Sequence, residues 1–123
     1  MATLADRVYD NGLTILDTEA SRLDICSQEP ATYTEATSTH SLGNATSISI
    51  SAPADRTGGG RKVTLSAVSG GAVSATGTAT HFALTDVSNT RLLATGSLTA
   101  SQAVTLGNSF ATTALDIGIP DPA

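Results

Sequence analysis

The sequence predicts a mainly β protein: an antiparallel β-sandwich (jelly-roll or Ig-like) with an N-terminal α-helix. Three observations predict it. Beyond residue 20 the apolar residues recur with a period of two instead of 3.6. Gly, Asn and Ser pairs interrupt these runs at close spacing, the pattern of short strands joined by turns. No helix-length segment separates successive strands in the C-terminal two-thirds, which argues against parallel βαβ pairing. At 123 residues the chain is one domain, with the helix over 1–20 and the sandwich over 21–123. A domain of this size buries roughly two-thirds of the surface its unfolded chain exposes, enough for a core of its own.

The helix is expected from Thr3 to about Ala20. Thr3 can cap it with Asp6 three positions on, and acidic residues near its start suit the helix dipole. Leu4, Val8, Ile15 and Leu16 fall near one face. Asn11-Gly12 is the weak point, since Gly costs about 1 kcal/mol in a helix interior, and a break is expected there.

Leu23 and Ile25 alternating with Asp24 and Cys26 predict a half-buried strand. From Glu29 to Asn44 the Pro, Thr, Ser and Gly content predicts loop with a short turn of helix. Ile48, Ile50 and Ala52 alternate with serines as a second strand, and Pro53 to Gly60 reads as a polar loop. Val63, Leu65 and Ala67 give the cleanest strand signal. Gly70-Gly71 is expected to turn that strand into Val73–Thr76. His81–Val87 and Arg91–Thr95 form a hairpin about Ser88-Asn89, and Ala103–Leu106 is a shorter strand. Gly107-Asn108 then leads to the last strand, where Leu115, Ile117 and Ile119 alternate until Pro120 ends the ladder. About seven or eight short strands result, as a sandwich or barrel requires.

Composition narrows the function. Charged residues make up 14% of the chain and hydrophobic residues 40%, below the roughly 25% and 45–50% usual for globular domains. Thr, Ser, Gly and Ala fill the difference, giving a neutral surface with few charges to repel a packed neighbour. The net charge is −5, and two Phe, two Tyr and no Trp leave neither a basic footprint nor stacking aromatics, so no direct nucleic-acid partner is expected. Cys26 is single, which excludes an internal disulfide. Neither a long apolar span nor a cationic leader followed by an apolar core is visible, so no membrane partner is expected and synthesis is expected in a cytoplasm.

Catalytic chemistry would have to begin from His40 or His81 with Cys26 or a serine as nucleophile. No nucleophile elbow or cysteine-protease signature selects a pair, so no catalytic residues are assigned and no enzyme is expected. Structural zinc needs four Cys or His ligands. Asp6, Asp10, Asp17, Glu19 and Asp24 lack the spacing of a calcium loop and read as a solvated helix face. No metal or cofactor is therefore expected. Thr57-Gly58-Gly59-Gly60-Arg61-Lys62 resembles a phosphate loop only superficially, because Lys62 leads into a strand and not a helix. Arg56, Arg61 and Lys62 form the one basic cluster and are the candidate contact with an acidic partner. Tyr33, in its loop, is the candidate exposed aromatic.

Seven phrases carry a family resemblance: SRLDICSQEP at 21–30, YTEATST at 33–39, GGGRKV at 58–63, GTATHFAL at 77–84, LLATG at 92–96, LTASQAV at 98–104 and DIGIP at 116–120. Together they resemble a family of small proteins of tailed bacteriophages and prophages, mostly described as hypothetical or virion-associated. The resemblance spans nearly the whole chain. It implies a non-enzymatic component of a phage or phage-like particle, a capsid decoration or head–tail accessory protein, made in the bacterial host cytoplasm and residing in the virion. The partners it implies are capsid or tail subunits and further copies of the chain. The competing expectation is a receptor- or glycan-binding module of a tail or fibre, for which Tyr33 would be the platform.

Overall fold

A computed structural model describes residues 5–46 and 48–120. A helix, α1 (Asp6–Glu19), precedes nine strands: β1 (Arg22–Cys26), β2 (Ser41–Ala45), β3 (Ala54–Asp55), β4 (Arg61–Leu65), β5 (Val68–Val73), β6 (Gly77–Asp86), β7 (Arg91–Val104), β8 (Ser109–Thr112) and β9 (Leu115–Ile119). A π-helical turn, Glu35–Thr39, lies between β1 and β2. The protein is mainly β with an N-terminal helix, and every strand pair is antiparallel.

The strands form a six-stranded sheet in the order β7-β6-β1-β2-β5-β8 and a three-stranded sheet in the order β3-β4-β9. The large sheet has β7 and β8 at its two edges, yet these strands are consecutive in the chain and joined by a turn in which Asn108 N–H bonds the Thr105 carbonyl at 3.0 Å. A flat sheet cannot satisfy both facts, so the sheet curls until its edges approach. Across that seam the Gln102 side-chain amide donates to the Ala111 carbonyl at 2.9 Å. One apolar core joins the helix (Tyr9, Leu13, Leu16), the large sheet (Leu23, Ile25, Phe82, Leu84, Phe110) and the small sheet (Val63, Leu65, Leu115). Each such side chain, fully buried, contributes about 1.5–3 kcal/mol.

The helix is continuous through Asn11-Gly12, contrary to the expected break. Its buried residues are Tyr9, Leu13 and Leu16, spaced i, i+4, i+7. Of the residues expected on that face, Leu16 is buried but Val8 and Ile15 are 57% and 44% exposed. Tyr9 displaces them because its ring occupies the core side. Thr3 and Leu4 lie outside the described residues.

β1 is buried at all four positions from Leu23 to Cys26, not on one face alone. Leu23 and Ile25 enter the main core. The opposite face is covered by the π-turn segment, which packs Ala36 against Cys26 and Ala83. A strand central to its sheet and covered on both sides loses the alternation that sequence patterning relies on.

Three other expectations change. Strand β2 forms inside the stretch read as loop. The segment around Ile48–Ala52 makes a broken ladder instead of a strand: Ile50 bridges Leu65, while the Ser51 hydroxyl, accepting from Thr64 N–H at 2.9 Å, takes a bond the backbone would otherwise make. Gly70-Gly71 is not a hairpin turn. Both lie inside β5, where Gly70 has φ +73° and the register with β8 shifts between Val68 and Gly71. The pair makes a bulge of the kind glycine permits. A Cβ on Gly71 would run into the Phe110 ring. The Ser88-Asn89 and Gly107-Asn108 turns form where expected, and the segment from Ala103 becomes the end of the long β7.

Candidate functional site

The basic cluster sits on the small sheet and the loop that feeds it. β3 and β4 are joined through Arg56–Gly60, where Gly58, Gly59 and Gly60 all adopt positive φ, +90°, +103° and +91°. Only glycine holds three such residues in a row without strain. At Gly60 the need is also steric, since a Cβ there would collide with the Ile119 carbonyl oxygen on β9.

The three cations have different surroundings. Arg61 donates to Asp10 through Nε at 2.9 Å and Nη2 at 3.3 Å, and to Asp55 through Nη1 at 2.6 Å. Asp6 stands 3.8 Å away, and the Pro53 carbonyl accepts a further bond at 3.4 Å. The hydrogen bond to Asp10, then that to Asp55, raises the guanidinium pKa further above its ordinary value. Arg61 thereby ties α1 and β3 to β4. Lys62 pairs across the strands with Asp116 at 2.9 Å, and Thr64 Oγ1 donates to the same carboxylate at 2.8 Å. The bond from Lys62, then that from Thr64, holds the Asp116 carboxyl below the usual range. Arg56 makes no ion pair among the described residues. It donates to the carbonyls of Gly59 at 3.0 Å and Thr57 at 3.5 Å. Its side chain lies across Gly118 of β9, where a Cβ would come 2.9 Å from Arg56 Cδ. Arg56, Thr57, Lys62, Asp116 and Gly118 line one shallow depression.

Tyr33 is not part of this surface. It lies half-buried at the start of the helical segment that covers the outer face of β1, and its carbonyl accepts from Thr37 Oγ1 at 2.9 Å. The four expected contact residues thus divide between two sheets, with Arg56, Arg61 and Lys62 together and Tyr33 apart.

The residues with catalytic potential are tied into the scaffold. Cys26 and His81 are cross-strand partners on β1 and β6. The Cys26 thiol, however, is fully buried and directed at the Ala36 carbonyl, 3.6 Å away. Burial, and then the nearby Asp24 charge, push its pKa up to about 12. That is the opposite of the lowered pKa that makes a thiolate nucleophile. The His81 ring bonds Thr80 Oγ1 at 2.9 Å, and His40 contacts Gln28 at 2.9 Å. Among the described residues no group of three or more His, Cys, Asp or Glu is placed to hold a metal ion, and no helix is long and apolar enough to cross a membrane.

Sequence reasoning missed two functional placements. Asp10 was assigned to a solvated helix face, yet it is half-buried against Arg61, 51 positions away. The available signal was the i, i+4 spacing of Asp6 and Asp10 beside the Tyr9–Leu13 stripe, which puts both at the rim of the buried face. Asp24, expected among the solvated acids, belongs to β1. It is instead wholly buried, accepting two bonds from Arg22 at 2.7 and 2.8 Å and one from the Ser41 hydroxyl at 2.6 Å. Comparison with protein-family models, with curated proteins and with solved structures finds no match to this chain.

Proposed function

We propose that the chain is a non-enzymatic structural component of a tailed phage or phage-like particle, as a capsid decoration or head–tail accessory protein. The observation that carries this reading is how the chain uses its charges. Of the six Lys and Arg, Arg22, Arg61, Lys62 and Arg91 are each ion-paired to the chain's own carboxylates. Much of the remaining outward surface is Ser, Thr, Ala and Gly, which a neighbouring subunit can cover with little unpaired charge to desolvate. The seven phrases that resemble virion-associated proteins support the same reading. In it the partners are capsid or tail subunits and further copies of the chain, and the chain is made in the host cytoplasm and resides in the virion.

The competing reading, a receptor- or glycan-binding module, draws less support. Tyr9, Phe82 and Phe110 are buried in the core, which leaves the half-buried Tyr33 as the aromatic available for stacking on a sugar.

Quantitative mass spectrometry of purified particles tests the proposal. Copy number near parity with the major capsid protein, or a simple fraction of it, is expected for decoration. A few copies per particle assign it to the neck or tail. Absence from particles refutes the structural reading.

A further inference from the structure

We propose that β9 is a self-association edge, at which two copies of the chain pair antiparallel across a two-fold axis through Ile117. This gives the proposed assembly role one of its interfaces, and it rests on that reading for its biological setting.

An exposed strand edge is a template for another strand, and proteins normally blunt such edges. Three of the four sheet edges here are blunted. β3 is two residues long, preceded by Pro53 and carrying Asp55. β7 departs from regular pairing between Gln102 and Ser97, where the register shifts and Thr80 alone stands opposite four residues. β8 is four residues long and runs directly from the turn at the seam. β9 differs. Its five residues hold unbroken register with β4, from Leu115↔Leu65 to Ile119↔Arg61. It has no proline or lysine within it, and its other side pairs with no strand among the described residues.

The side chains suit a second copy of the same strand. A two-fold axis at Ile117 sets Ile117 against Ile117, Leu115 against Ile119, and Asp116 against Gly118. On the core-side face this covers Ile117, which is half-buried, and Ile119, which is 38% exposed. Gly12 of α1 backs onto Ile119, with 3.9 Å from an ideal Gly12 Cβ to Ile119 Cδ1. Val8 and Ile15, a helical turn to either side of Gly12, extend the same exposed apolar surface.

On the opposite face the charges match. Asp116 of one copy stands opposite Gly118 of the other, and across Gly118 lies Arg56, the loop cation without a carboxylate partner among the described residues. Each Asp116, already held by Lys62, gains the facing Arg56, and the missing Cβ of Gly118 leaves room for both. The same pairing keeps the two Asp116 carboxylates from facing each other directly, a juxtaposition that would repel.

Sedimentation equilibrium and site-directed cross-linking on the full chain test the inference. A dimer is expected, with Ile119→Lys and Arg56→Glu each raising the dissociation constant about tenfold or more, while circular dichroism melting shows both variants folded. Ile117→Cys is expected to form a disulfide-linked dimer readily under mild oxidation. Val87→Cys, on an exposed turn away from β9, is the control, and the buried Cys26 contributes no background. A monomer at hundred-micromolar concentration, or cross-linking through residue 117 no faster than through residue 87, overturns the inference. Particle composition is read separately: a monomeric chain present in particles removes this edge and leaves the assembly reading, whereas a dimeric chain absent from particles does the reverse.

Discussion

Two arginine-centred clusters hold this molecule together by different means. Arg22 meets one carboxylate, Asp24, at the buried centre of the large sheet, where the Ser41 hydroxyl and the Thr37 carbonyl complete the set. Arg61 meets three carboxylates, Asp6, Asp10 and Asp55, at the rim of the small sheet. The first cluster has a fully buried acid and joins β1 to β2 and the covering π-turn. The second has acids that are 32–90% exposed and joins elements far apart in the chain. An ion pair stripped of water is costly to break from one side, whereas exposed pairs are weak singly and act by orienting what they connect. The large sheet should therefore fail as a unit, and the helix contact should loosen locally.

The largest expected effect comes from breaking the buried cluster. Asp24→Ala leaves Arg22 and Ser41 without their acceptor and should cost about 3–5 kcal/mol in urea unfolding. The double change Arg22→Met, Asp24→Leu should recover most of that loss, which would separate the cost of an orphaned charge from the worth of the pair. Next is a gain. Thr85, cross-strand from Arg22, is wholly buried with a hydroxyl that lacks a hydrogen-bond partner among the described residues. Thr85→Val should stabilise the fold by about 1 kcal/mol, measured the same way.

Arg61→Ala should leave the large sheet's slow-exchanging amides unchanged while those of α1 exchange roughly fivefold faster, read by native-state hydrogen exchange. Equal acceleration in both regions would erase the contrast between the clusters.

The smallest effects are those of pH. Asp116 is held below its ordinary pKa by Lys62 and Thr64, and Asp86 by Asn89 and Arg91. A lowered carboxylate stabilises above its unfolded pKa, about 3.9, and that stability is lost as pH falls through the folded value. The melting temperature should accordingly decline below about pH 4, and Asp116→Asn should flatten the decline slightly. Cys26 works at the other end. Its raised pKa favours the folded state below the unfolded value of about 8.5, and the contribution is lost as pH rises from there to about 12. Thiol reagents should accordingly label Cys26 only on unfolding.

Much of the fold was legible where one face of an element is wet. β4 and β9 keep clean alternation, and the turns at Ser88-Asn89 and Gly107-Asn108 carry residues with little other use. Legibility failed where burial is two-sided or where polar groups satisfy each other. β1 hides Asp24 in an ion pair, and β2, with Gly43 and Asn44 inside it, looks like loop because its glycine fits closely under Phe110. Gly70-Gly71 has turn composition but serves as a bulge, and nothing local distinguishes the two. At the candidate site the cluster Arg56, Arg61 and Lys62 was visible as a run of charge. Its division into two internally paired cations and one turned toward β9 depends on Asp10 and Asp116, which lie more than fifty positions from their partners.

The place of β1 in the large sheet also governs when this protein can fold. β1 is made early, at residues 22–26, but one of its two neighbours is β6, which ends at Asp86. A nascent chain on the ribosome therefore carries a strand meant for burial on both faces with one side open until β6 has been made. Such long-range pairing makes folding slow. We expect the sheet to close only once β6 is available, and until then a holding chaperone would find the chain and a folded partner would not.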